Sequence, residues 1–156
     1  MKSFKETIIK MESLDIAKEI CFYFDAKIIG SMLFVQEKLL DYEHINDIDI
    51  GIDKDYIEKA QHMLTSQGYV ETKVPYKQKT YEDFPGFKVF EKDNCKAVHL
   101  MLWNDKTNKK VHTIPELIKA KLERGYGRDI NQVYLVICKM HNPVLKKKEG
   151  AAAPST

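Results

Sequence analysis

Arginine is almost missing from this chain: Arg124 and Arg128 are the only two, and nearly all the remaining positive charge is lysine. With 25 basic against 23 acidic side chains the formal net charge is +2. That balance is too small to argue for a nucleic-acid surface, so a nucleic-acid partner is not expected. Cysteine is sparse too. Cys21, Cys95 and Cys138 form an odd, scattered set without a Cys-x-x-Cys spacing. This argues against a disulfide frame or a thiolate zinc site, and reads as buried free thiols in a reducing compartment. No apolar run approaches the roughly 18 residues a membrane span needs, and Met1–Glu6 lacks the apolar core of a signal peptide. The expectation is a cytoplasmic protein with no membrane partner. What is present, 44% hydrophobic and 31% charged over 156 residues, suits an ordinary globule with a real core. A single domain is expected over 1–143, with a disordered tail over 144–156 that carries the lysines 146–148.

Periodicity gives a coarse map. Ile8, Ile9, Met11, Leu14, Ile16, Ala17, Ile20, Cys21 and Phe24 recur at helical spacing, which predicts one long or broken helix over 3–25. A strand is expected over Lys27–Gly30, a helix from Ser31 to about Leu40, a polar loop to Asn46 and a strand over Asp47–Ile52. Asp53 is expected to cap a helix to Gln67, with Gly68 as its stop. Strands follow at Tyr69–Val74, Gly86–Phe90 and Lys96–Leu102, with a loop over Tyr76–Pro85 and a turn at Lys92–Asn94. Thr113-Ile-Pro-Glu116 has the form of a capping box, so a helix should start there and run to about Arg124. Gly125-Tyr-Gly127 breaks it, and a last helix runs from Arg128 to about Met140. The class is α+β: about four or five strands, partly antiparallel, flanked by helices.

The chemistry concentrates in two short segments. Ile29-Gly30-Ser31 ends an apolar run in a turn able to wrap a phosphate, and Asn46-Asp47-Ile48-Asp49-Ile50 follows on the next strand. Alternation puts Asp47 and Asp49 on one side of that strand. Two carboxylates so close repel unless a cation or proton lies between them, and Mg²⁺ takes one or two carboxylates plus phosphate oxygens.

These residues, in this order, resemble the Gly-Ser…Asp-x-Asp signature of the nucleotidyltransferase fold, and look most like the small lincosamide and aminoglycoside nucleotidyltransferase-like proteins. The segment Thr113–Leu122 with Arg128-Asp129-Ile130 is similar to a Pro-Glu-x-Leu…Lys-Leu…Arg-x-Asp-Leu stretch of that superfamily, so the resemblance covers about 25–137. It implies transfer of a nucleoside monophosphate from a Mg²⁺-bound nucleoside triphosphate to a small-molecule or protein acceptor. By that resemblance Gly30 and Ser31 cradle the β- and γ-phosphates, Asp47 and Asp49 hold Mg²⁺, and Lys121 or Arg128 contacts triphosphate or acceptor. Some small relatives build the acceptor pocket between two subunits, so a homodimer fits as well.

The chain departs from the family at a third carboxylate, expected in a pattern Asp-hydrophobic-His. Here the strand reads Ala97-Val98-His99, and alanine neither ligates metal nor takes a proton. His99 then serves as the base, its ordinary pKa near 6.5 being suitable, or Glu91 or Asp93 approaches from the neighbouring hairpin. Otherwise the site binds without turning over, as a degenerate member acting as a binding or regulatory module. Each residue has a bland alternative. Gly30-Ser31 can be a plain strand-to-helix turn, the acids a solvated strand face, and His99 a packed strand histidine. Lys121 and Arg128 can be helix-surface cations paired with Glu123 or Asp129.

Overall fold

The computed structural model describes residues 4–72, 88–103 and 113–142. The expected loop over Tyr76–Pro85, the start of the strand at Gly86 and the tail over 144–156 lie outside the described residues. In chain order the elements are helix α1 (Phe4–Phe24), strand β1 (Lys27–Ile29), helix α2 (Met32–Gln36), a 3₁₀ turn (Tyr42–His44) and strand β2 (Asp47–Ile52). Then come helix α3 (Ile57–Ser66), strands β3 (Val70–Thr72), β4 (Lys88–Glu91) and β5 (Ala97–Leu102), and helices α4 (Ile114–Arg124) and α5 (Gly127–Met140). The chain is α+β, with a five-stranded mixed sheet flanked by helices. Two compact units are formed: residues 1–29 with 46–109, and residues 30–45 with 110–156.

The first unit holds the whole sheet, in the order β1-β2-β5-β4-β3. β2 and β5 run parallel at its centre; β1 pairs with β2, and β4 with β5 and β3, antiparallel. Isoleucine alternation in β2 drives this. Ile48, Ile50 and Ile52 are fully buried, and Val98 and Leu100 of β5 stand beside the first two in register. Helix α1 covers the sheet, contacting β1, β2, β5 and α3 through a stripe at helical spacing: Ser13, Ile16, Ala17 and Ile20, all buried. Each fully buried isoleucine contributes about 1.5–3 kcal/mol. Two like charges at strand spacing on a partly covered face cost about 2–4 kcal/mol. The three isoleucines therefore outweigh the pair of acids, and β2 forms despite two poor strand formers.

Ser13 is the polar exception in that stripe. Its hydroxyl reaches the Lys96 carbonyl at 2.5 Å and the Tyr69 hydroxyl at 2.8 Å, so the buried oxygen is satisfied. Nearby, the Lys92 ammonium donates to Glu12 at 2.5 Å and to the Gln67 carbonyl at 2.8 Å, tying α1, the end of α3 and the β4–β5 turn together.

The second unit holds α2, the 3₁₀ turn, α4 and α5, with α4 and α5 in contact. Helix α2 is shorter than expected: five residues rather than a run to Leu40. The cause is a Schellman ending. Lys38 takes the left-handed conformation at φ 59, Leu39 N–H reaches the Phe34 carbonyl at 2.8 Å and Lys38 N–H the Val35 carbonyl at 3.0 Å. The chain turns there, and Leu39 and Leu40 are buried instead of extending the helix. A second boundary moves likewise. Asp53 does not cap α3 but accepts Asp55 N–H at 2.9 Å in a local turn, and the helix opens later, at Ile57. The Thr113 cap forms, its hydroxyl accepting Glu116 N–H at 3.3 Å, and Gly125 closes α4 at φ 72.

Candidate metal centre

The site-bearing face of the first unit is built by strand alternation. With Ile48 and Ile50 turned to the core, Asp47 and Asp49 project from the opposite face of β2. Parallel register then sets Ala97 beside Asp47 and His99 beside Asp49. His99 Nδ1 lies 2.9 Å from Asp49 Oδ1, and Nε2 lies 3.8 Å from Asp47 Oδ2. The imidazole thus bridges both acids. All three side chains are partly covered: 26% exposed for Asp47, 19% for Asp49 and 16% for His99. This coverage separates them from freely solvated surface acids.

One oxygen of each acid and one nitrogen of His99 lie within 4.8 Å of one another. Ligand atoms about 2.1 Å from a common ion stand at most about 4.2 Å apart. Rotations of a few tenths of an ångström in three side chains therefore close the set around one ion. The donor set, two carboxylates and an imidazole, fits a divalent cation with positions left over for other ligands. Ala97 leaves only a methyl group beside Asp47. Glu91 and Asp93 do not belong to this cluster.

The same face carries a feature that sequence reasoning missed. Gly51 follows Asp49 by two positions, and a Cβ there would lie 2.8–3.0 Å from the Trp103 ring. The indole therefore lies against the strand next to the acid pair, and the Trp103 backbone N–H donates to the Ile52 carbonyl at 2.9 Å. A glycine inside a strand was the available signal, since it marks a close approach.

The other expected site residues belong to the second unit. Gly30 has φ 70, as a tight turn needs, and its carbonyl accepts Leu33 N–H at 2.9 Å. Ser31 offers no side-chain cap to α2; its hydroxyl donates to Gln132 Oε1 at 2.8 Å, and Gln132 reaches the His44 carbonyl. Five residues give α2 little macrodipole with which to hold a phosphate. Lys121 is buried, not on a helix surface, and its ammonium meets Asp129 Oδ1 at 2.9 Å. Arg124 Nε stands 3.6 Å from the other Asp129 oxygen, while Arg128 is exposed. Cys138 is exposed too, and Cys21 and Cys95 are half-buried, so the thiols are less covered than expected.

Among the described residues, no helix is long and apolar enough to cross a membrane. Neither family models nor curated proteins nor solved structures give a match to the chain.

Proposed function

We propose that this chain is a metal-dependent nucleotidyltransferase, moving a nucleoside monophosphate from a nucleoside triphosphate to a small-molecule or protein acceptor. The observation that carries the reading is the convergence of Asp47, Asp49 and His99 on one sheet face. The Gly30-Ser31…Asp47-x-Asp49 order, which resembles the nucleotidyltransferase signature, names the chemistry. A divalent cation held there would neutralise charge on the α-phosphate. Asp47 and Asp49 supply the anionic oxygens. His99 orients both carboxylates from the neighbouring strand. In the transfer, an acceptor oxygen forms a bond to the α-phosphorus, the bond to the bridging oxygen breaks, and pyrophosphate leaves with the electron pair. The acceptor's proton passes to solvent. With both ring nitrogens turned to the acids, His99 acts in this reading as part of the acid cluster rather than as the base.

The experiment is a titration of ATP, GTP, CTP and UTP, each with Mg²⁺, Mn²⁺ or Zn²⁺, against the wild type and the Asp47→Asn/Asp49→Asn double variant, read by calorimetry and by pyrophosphate release. Binding in the wild type that the double variant loses supports the reading. No binding beyond that of the double variant ends it. A second reading, nucleotide binding without transfer, is favoured by Ala97 standing in register with Asp47. Transfer gained only in Ala97→Asp selects that second reading, whereas transfer by the wild type excludes it.

A further inference from the structure

We infer that the Asp47–Asp49–His99 centre prefers a borderline transition ion, such as Zn²⁺, to Mg²⁺; this deepens the metal-dependent reading above and rests on it. A nitrogen, not an oxygen, completes the cluster, and the parallel register of β2 and β5 fixes it there. Mg²⁺ demands oxygen ligands in a near-ideal octahedron, whereas imidazole suits the borderline ions to its right in the transition series.

Charge points the same way. Had an acid stood at Ala97, the centre would carry three carboxylates; it carries two, beside a neutral ligand. A hard cation loses electrostatic attraction from that exchange, while a borderline cation regains it through the nitrogen. The ring is also well held. His99 lies on a central strand, 16% exposed, with Val89 beside it on β4 and Asp49 beside it on β2. A ligand fixed by a sheet on both sides imposes its own donor on whichever ion enters.

The test uses the metals alone. Trp103 is the only tryptophan and lies against Gly51, two positions from Asp49 on the same face, so paramagnetic Mn²⁺ at the centre should quench its emission. Mn²⁺ is titrated by fluorescence, and Mg²⁺ and Zn²⁺ are measured by displacement of Mn²⁺. The variants are His99→Asp and His99→Gln, the second keeping the side-chain bulk should three acids prevent folding. We expect the wild type to bind Zn²⁺ more tightly than Mg²⁺. That preference should shrink by about tenfold or more when the nitrogen is lost. An unchanged ratio of Zn²⁺ to Mg²⁺ affinity in both variants overturns the inference and leaves the metal-dependent reading standing. No metal binding by the wild type, with or without nucleotide, overturns both.

Discussion

Asp49 and His99 face each other across two parallel strands, with His99 Nδ1 2.9 Å from Asp49 Oδ1. That contact joins residues fifty positions apart in the chain into one centre, and the sheet register alone determines it. Shifting β5 by one residue would turn His99 to the helix-covered face and bring Val98 into its place. The centre is therefore as stable as the β2–β5 pairing, whose buried side is the isoleucine core under α1.

Asp129 neutralises buried Lys121 and also faces Arg124. Asp129→Asn should destabilise the protein by about 3 kcal/mol, because an ammonium is left buried without its counter-charge. Lys121→Met should cost clearly less, since Asp129 keeps Arg124 and the methionine fills the space. Urea unfolding of the two variants checks the order; equal losses would contradict it.

Gly51 has no room for a methyl group, given a Trp103 ring 2.8–3.0 Å from its would-be Cβ. Gly51→Ala should cost about 1–3 kcal/mol through displacement of the indole. It should also shift the emission maximum, since Trp103 is the only tryptophan. An unmoved spectrum and unchanged stability would show that the ring does not lie on the strand.

Burial pushes the Tyr69 phenol from its ordinary 10.0 up to about 12, and the Cys21 thiol from 9.0 up to about 11. Both folded values are raised, so the stability these groups contribute is complete below pH 9 and drains away as pH climbs toward 12. Thermal melts should fall between pH 9 and pH 12. Tyr69→Phe should flatten the upper part of that decline while lowering stability at neutral pH, where it loses the bond to Ser13. A decline of the same size in the variant would assign the upper part to other groups.

Much of the sheet was legible in the sequence because period-two alternation is a local signal. Alternation bounds β2 at Asp47–Ile52, as the structure has it, and puts Asp47 and Asp49 on one face. The pairing of β2 with β5 was not legible, since register is settled by packing under α1 rather than by either strand alone. Helix α2 ends earlier than its sequence suggests because Lys38 adopts the left-handed conformation without being glycine. The Asp129 partner of Lys121 is legible in the sequence, but the burial of that pair is not, because it depends on the Gly125 turn that brings Asp129 back eight positions on. The Trp103 approach was signalled only by Gly51, a residue that alone says nothing of what comes near.

In the proposed function two aspartates and a histidine hold one divalent ion. Counting bound Mn²⁺ by loss of its free-ion electron paramagnetic resonance signal tests it most directly. One ion per wild-type chain and none in a folded Asp47→Asn/Asp49→Asn chain is the predicted result. Equal binding by the two, or none by the wild type, would contradict the account.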